Sequence, residues 1–165
     1  MGFFKDLFSN KTVYKKEDLP NLMMAVGVDM TSKLRGFNDI DDNQTIAVNM
    51  GYFYGFLRLK FSSMTDVETA YEIVDKSIHN LGEATKGKYG DFNFIYIVQT
   101  NFNNCFENIR RAVNSEDVIE KASQLYLNDL YQKEVNDEIR LKIAKNNITQ
   151  LYEMIIKLTD SMRIK

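Results

Sequence analysis

The chain has 165 residues, a net charge of −2 and a single cysteine, with 44% hydrophobic and 27% charged residues. A chain of this length buries about 70% of its unfolded surface, which is enough for one hydrophobic core. The near-neutral charge, without a long basic run, excludes a nucleic-acid-binding face of the usual kind. The lone cysteine excludes an internal disulfide.

Two further absences concern location. No apolar stretch reaches the length of about 20 residues that a transmembrane helix needs. The N-terminus lacks the apolar run and cleavage site of a secretory signal. We therefore expect a cytoplasmic protein. Abundant Asn, Ile and Lys are typical of AT-rich coding, which favours a bacterial or phage origin.

The N-terminal segment, residues 1–15, is a candidate docking or flexible segment. Its bulky apolar side chains share one side of a short helical turn, and they are Phe3, Phe4, Leu7 and Phe8. Such a turn either folds back onto the core or contacts a membrane surface or a partner. We favour docking onto the core.

A first helix is predicted to begin near Asp18, with Pro20 in its first turn, and to end at Gly36 as a left-handed cap. A central helix then spans Asp42–Phe61, with Asp41 or Asp42 as its N-cap. Bulky residues at helical spacing form one face of it, namely Ile46, Met50, Phe53, Tyr54, Leu57 and Phe61.

Small residues lie on the opposite side of this central helix, at Ala47, Gly51 and Gly55. A glycine inside a helix costs about 1 kcal/mol relative to alanine. A second helix packed closely against the bare backbone would offset that cost. We therefore predict that the central helix has protein on two sides and lies in the middle of the fold.

The third helix is predicted to open with a capping box at Thr65–Glu68. Its apolar stripe comprises Val67, Tyr71, Val74, Ile78 and Leu81. Another face is acidic and carries Glu68, Glu72, Asp75, His79 and Glu83. The single histidine does not have the spacing of a di-iron bundle or a zinc site, so we predict no metal. The acidic face is either solvated or binds a basic partner.

A glycine-containing loop at residues 86–90 precedes a fourth helix, predicted from Asp91 to Val113. Cys105 falls within its apolar arc, which indicates a small core residue rather than a nucleophile. Residues 92–98 and 52–61 also alternate in hydropathy, so an α+β fold with two strands there is the alternative.

A fifth helix starts at Asn114 or Ser115, and a sixth runs from Asp137 to the C-terminus. The sixth carries a heptad seam, which comprises Leu141, Ala144, Ile148, Leu151, Ile155, Leu158 and Met162. A heptad seam is typical of a coiled-coil dimer and of packing inside a bundle. The protein is thus a monomer or a homodimer, and we favour packing inside the bundle.

These patterns predict an all-α fold, in which residues 1–165 form a single domain of about six helices. No catalytic, nucleotide or cofactor motif is present. The first functional hypothesis is a non-enzymatic protein-binding module, such as an inhibitor, immunity protein or adaptor, acting through the acidic helical face. The alternative is a small-ligand-binding or enzymatic bundle with a site between helices, near Gly51, Gly55 and Arg58.

Overall fold

A computed structural model describes residues 11–165, so Phe3, Phe4, Leu7 and Phe8 lie outside the described residues. The elements in chain order are β1 (Thr12–Tyr14), α1 (Leu19–Ser32), α2 (Asp42–Phe61), α3 (Val67–Ala84), α4 (Phe94–Ile109), α5 (Ser115–Tyr131), α6 (Glu138–Asp160) and β2 (Met162–Ile164). The all-α prediction is confirmed. The strands that the alternative required at residues 52–61 and 92–98 are wrong, because α2 and α4 occupy those stretches.

The central position of α2 is confirmed. Residues 47–58 are all buried, and α2 contacts each of the five other helices. The face that carries Gly51 and Gly55 lies against α4, and a Cβ added at Gly51 would be 2.5 Å from the Cβ of Asn101. Aromatic side chains fill the other faces. One of them, Tyr52, meets the Tyr126 ring edge-on at 5.1 Å.

The other helices surround α2 in packed pairs. Helix α1 lies against α3, where the hydroxyl of Ser77 donates to the carbonyl oxygen of Pro20 at 2.8 Å. Helix α6 packs against α5 and α2, and it buries Ala144, Ile148, Leu151 and Ile155. The chain's own helices therefore bury the middle of the heptad seam, while Leu141 and Leu158 are half-buried.

The predicted positions of helix starts agree with the structure better than the predicted positions of helix ends. Asp41 caps α2 by accepting from the backbone N–H groups of Asn43 and Gln44, and Asn114 caps α5 in the same way. At α3 the cap is Asp66 rather than Thr65. The predicted start of the fourth helix at Asp91 is wrong, because α4 begins at Phe94 and its N-cap is Asn93, which makes no side-chain cap bond.

Three predicted ends were too late. Helix α1 ends at Ser32 rather than at Gly36, α4 ends at Ile109 rather than at Val113, and α6 ends at Asp160. After α6 the chain turns into β2, which pairs in parallel with β1 so that Thr12 faces Met162 and Tyr14 faces Ile164. Met162 was predicted on the sixth helix, but it lies in β2 and packs into the core from there.

Candidate functional site

The five residues predicted to bind a partner lie together on the solvent side of α3. We call them the acidic surface: Glu68, Glu72, Asp75, His79 and Glu83. All are exposed, because the opposite side of α3 faces the core with Ala70, Ile73, Val74, Ser77, Ile78 and Leu81. Within residues 11–165 the acidic surface makes one ion pair, between Glu72 and Lys16 at 3.9 Å. Its other carboxylates face solvent.

An apolar edge borders this acidic surface. Val67 and Tyr71 belong to the apolar stripe predicted for this helix, yet their exposed fractions are 66% and 53%. The buried face of α3 is centred on Ala70, Ile73 and Ser77, which turns Val67 and Tyr71 to its margin. An apolar patch with a polar border is the usual anatomy of a protein interface.

Arg58 lies beneath Tyr71. Its guanidinium carbon is 5.1 Å from the centre of the Tyr71 ring and 5.3 Å from that of Phe106, so the cation is within cation–π distance of both rings. The residue is 6% exposed. Nε and Nη1 donate to no acceptor among residues 11–165. Burial lowers the pKa of Arg58 from its ordinary value, and the Tyr71 hydroxyl raises it slightly in the opposite direction.

The local sequence explains why a cation is tolerated there. Arg58 is in the last turn of α2, where the partial negative charge of the helix C-terminus favours a cation. The two rings contribute a cation–π attraction that is worth more when the cation is desolvated. The unused donors remain a cost, since a buried hydrogen-bonding group without a partner is destabilising.

The enzymatic alternative placed a site between helices near Gly51, Gly55 and Arg58. Helix α4 fills the space above both glycines. Arg58 lines none of the five clefts described among residues 11–165. Cys105 is fully buried against Gly55, and burial raises the pKa of its thiol, which keeps it protonated. The interpretation of Cys105 as a small core residue is confirmed.

Sequence reasoning missed a polar cleft of about 570 Å³ between α4 and α5. At its base, a carboxylate oxygen of Asp129 accepts from the Tyr52 hydroxyl at 2.6 Å. The side-chain amide of Asn104 donates to both carboxylate oxygens at 3.1 Å. The Gln44 amide donates to the Asp129 backbone carbonyl, while the buried Gln44 Oε1 has no donor among residues 11–165.

The surroundings of Asp129 disfavour its charged form. It makes no ion pair within residues 11–165. It lies in the last turn of α5, where the helix dipole disfavours an anion. Burial raises its pKa, and the bonds from Tyr52 and Asn104 offset only part of that rise. The sequence carried a signal, because Asp129 lies three residues after Tyr126 on the apolar side of α5.

Neither a metal-binding cluster nor a membrane-spanning helix is found among residues 11–165. No cluster of three His, Cys, Asp or Glu side chains there has the geometry to hold a metal ion. In the same range, every helix is too short or too polar to cross a bilayer. Comparison with known proteins returned no match, since no family model, curated protein or solved structure is significantly similar to this chain.

Proposed function

We propose that the protein is a non-enzymatic protein-binding module that recognises a basic partner through α3. The observation that carries the proposal is the arrangement of Tyr71 and Arg58 beside the acidic surface. A half-exposed tyrosine stacked on a buried guanidinium with unused donors resembles the aromatic and arginine residues that dominate binding energy in interfaces. The flanking carboxylates supply the charge that a basic partner complements.

The two parts of this surface have different roles. Exposed carboxylates of the acidic surface steer a positively charged partner, so they act mainly on the association rate, and this effect weakens with salt. Val67 and Tyr71 form an apolar edge that the partner covers, so they act mainly on the dissociation rate. Inhibitors and immunity proteins work by covering a partner in this way, and adaptors work by recruiting one. In this role the protein acts in the cytoplasm of a bacterium, or it is encoded by a phage.

Charge reversal tests the electrostatic part. Asp75→Lys with Glu83→Lys reverses two exposed carboxylates without weakening the helix, since lysine has a good helix propensity. Glu134→Lys with Glu153→Lys changes net charge equally at exposed positions elsewhere. We expect wild type and the control pair to retain a basic partner from lysate of the source cell that elutes with salt. The Asp75/Glu83 pair should lose it. Equal retention by both variants contradicts the proposal.

Truncation tests the apolar part with the purified partner. Tyr71→Ala removes the ring over Arg58, and Tyr96→Ala removes a similarly exposed tyrosine from α4. An interface anchor costs about 2 kcal/mol or more when it is truncated, which is roughly a thirtyfold loss of affinity. We expect that loss in titration calorimetry for Tyr71→Ala alone, with circular dichroism establishing that both variants are folded. Unchanged affinity would place the interface elsewhere.

A second candidate function, small-ligand binding, is supported by Asp129 rather than by Arg58. A carboxylate that forms no ion pair among residues 11–165, near the buried and unused acceptor of Gln44, suits a ligand that carries an ammonium group, although Lys133 also lines the cleft. Titration with spermidine should give saturable binding that Asp129→Asn abolishes. Binding that Asp129→Asn leaves unchanged would reject this candidate.

A further inference from the structure

An apolar pocket of about 250 Å³ opens between α1, α2, α3 and the start of α4. Met50, Leu81 and Phe94 form its buried wall, and Val28 and Ile46 lie at its rim. The rim side chains are 54% and 42% exposed, although both are large and apolar. None of the acidic surface lines this pocket, so it is separate from the surface proposed to bind a protein.

Three of the four hydroxyl groups of the pocket lining, those of Thr31, Ser32 and Thr85, already donate to backbone carbonyls. Thr31 donates to the carbonyl oxygen of Gly27 at 2.7 Å, and Thr85 donates to that of Leu81 at 2.7 Å. Ser32 likewise donates to a carbonyl of its own helix. Because these donors are satisfied, the wall offers a polar ligand little compensation for its lost hydration. The interior therefore favours a hydrocarbon chain.

Charge enters the pocket at one position. Lys88 is the only charged residue of the lining, and its ammonium lies 5.8 Å from the centre of the Tyr89 ring. It makes no ion pair within residues 11–165. The lining contains no carboxylate that would neutralise it. A ligand with an anionic head would meet an unpaired cation there.

The loop that carries Lys88 has a defined shape. Gly87 and Gly90 flank it with φ of 75° and 59°, in the left-handed region that favours glycine. Tyr89 stacks on Phe94 with ring centres 4.3 Å apart and planes 15° from parallel. The stacked pair holds this loop against the start of α4. Lys88 is thereby kept next to the pocket.

We propose that this pocket binds a small amphipathic monoanion, namely a carboxylate with an unbranched chain of about ten carbon atoms. The chain length is scaled from benzene, which occupies a cavity of roughly 150 Å³. The chain lies among Met50, Leu81 and Phe94 and covers Val28 and Ile46. The carboxylate accepts a charge-assisted hydrogen bond from Lys88. An apolar pocket with few polar groups at its edge is the usual form of a small-molecule site.

The probe is decanoate below its micelle-forming concentration, titrated into the full chain by calorimetry. Two comparison ligands separate the contributions. Decylammonium has the same chain with the opposite charge, and butyrate has the same head with a short chain. We expect saturable decanoate binding, and binding of each comparison ligand weaker by about tenfold or more.

Matched variants locate the head group. Lys88→Gln should weaken decanoate binding by about tenfold. Lys86→Gln should not weaken it, because Lys86 is an exposed neighbour that does not line the pocket. Val28→Glu, at an exposed rim position, should also weaken binding by placing a charged side chain against the hydrocarbon chain of the ligand. Circular dichroism melts establish that each variant is folded.

Three results would overturn the proposal. One is the absence of decanoate binding to the folded full chain. Another is equal affinity for decylammonium, or an equal effect of Lys86→Gln and Lys88→Gln, because either result would remove the role of charge. The third is binding that occurs only after residues 1–10 are deleted, which would identify the chain's own apolar segment as the occupant. None of these results bears on partner binding by α3.

Discussion

Gly51 and Gly55 set the distance between α2 and α4. A Cβ added at Gly51 would lie 2.9 Å from the carbonyl oxygen of Val98 and 3.0 Å from the backbone nitrogen of Phe102. At Gly55 it would lie 2.6 Å from the sulfur of Cys105. The neighbours at Gly51 include backbone atoms, so they cannot move aside without moving α4. Close approach of the two helices depends on these two missing side chains.

We therefore expect Gly51→Leu and Gly55→Leu each to lower the free energy of unfolding by about 1–3 kcal/mol through overpacking. Gly36→Ala is the control, since a Cβ there meets nothing within 4 Å. Urea denaturation followed by circular dichroism measures all three variants. Wild-type midpoints for both leucine variants would mean that α2 and α4 separate without cost.

Asp129 predicts a pH effect on stability. Its pKa is raised in the folded state by burial, so the folded protein holds this proton more tightly than the unfolded chain does. The free energy of unfolding due to this group therefore falls as pH rises from the unfolded pKa of about 3.9 through the folded value. At neutral pH the charged carboxylate is a destabilising element.

Asp129→Asn removes that titration and keeps an acceptor for the Tyr52 hydroxyl. We expect the variant to be more stable than wild type near neutral pH, and the difference to shrink as pH approaches about 4. Only the difference is informative, because Asp39, Asp66 and Asp117 have lowered pKa values and shift stability in the opposite direction. A difference that stays constant with pH would show that Asp129 has an ordinary pKa.

Among the elements, the parallel pair β1–β2 allows a specific prediction about the contribution of β2 to core stability. Met162 points into the core and is buried, while its neighbour Arg163 is exposed. Met162→Ala should cost about 2–5 kcal/mol, as for other buried methionines. Arg163→Ala in the same strand should cost little. Chemical denaturation compares the two, and equal effects would mean that β2 contributes no core contact.

The elements also show what a sequence pattern can and cannot predict. All six helices were predicted because apolar residues repeat at helical spacing over many turns. The strands β1 and β2 were not predicted, since three residues are too few for an alternating pattern and their pairing joins distant parts of the chain. Helix ends were misplaced where no left-handed residue stops the helix, as at Lys33 after α1.

The candidate site divides in the same way. The acidic surface could be predicted, because its five residues lie on one face of one helix. The Arg58–Tyr71–Phe106 cluster could not, since it joins α2, α3 and α4. The exposure of Tyr71 also depends on how α3 is rotated against α1, which local periodicity does not determine. Contacts between helices set these features.

At the scale of the whole molecule, α2 links every helix into one core. Because α2 contacts all five other helices, loss of any of them exposes part of the same buried surface. We expect two-state unfolding, in which far-UV circular dichroism and the near-UV signal of the tyrosines give the same midpoint. The chain has no tryptophan to report separately. Separated midpoints would mean that some helices unfold independently of α2.

The pairing of β1 with β2 has a consequence for biosynthesis. Thr12 needs Met162 as its strand partner, and that residue follows all six helices in the chain. At a synthesis rate of about 5–20 residues per second, roughly 8–30 s pass between the two. Throughout that interval β1 has no strand to pair with, while the six helices are being synthesised. The β1–β2 pair can therefore form only after all six helices have been synthesised.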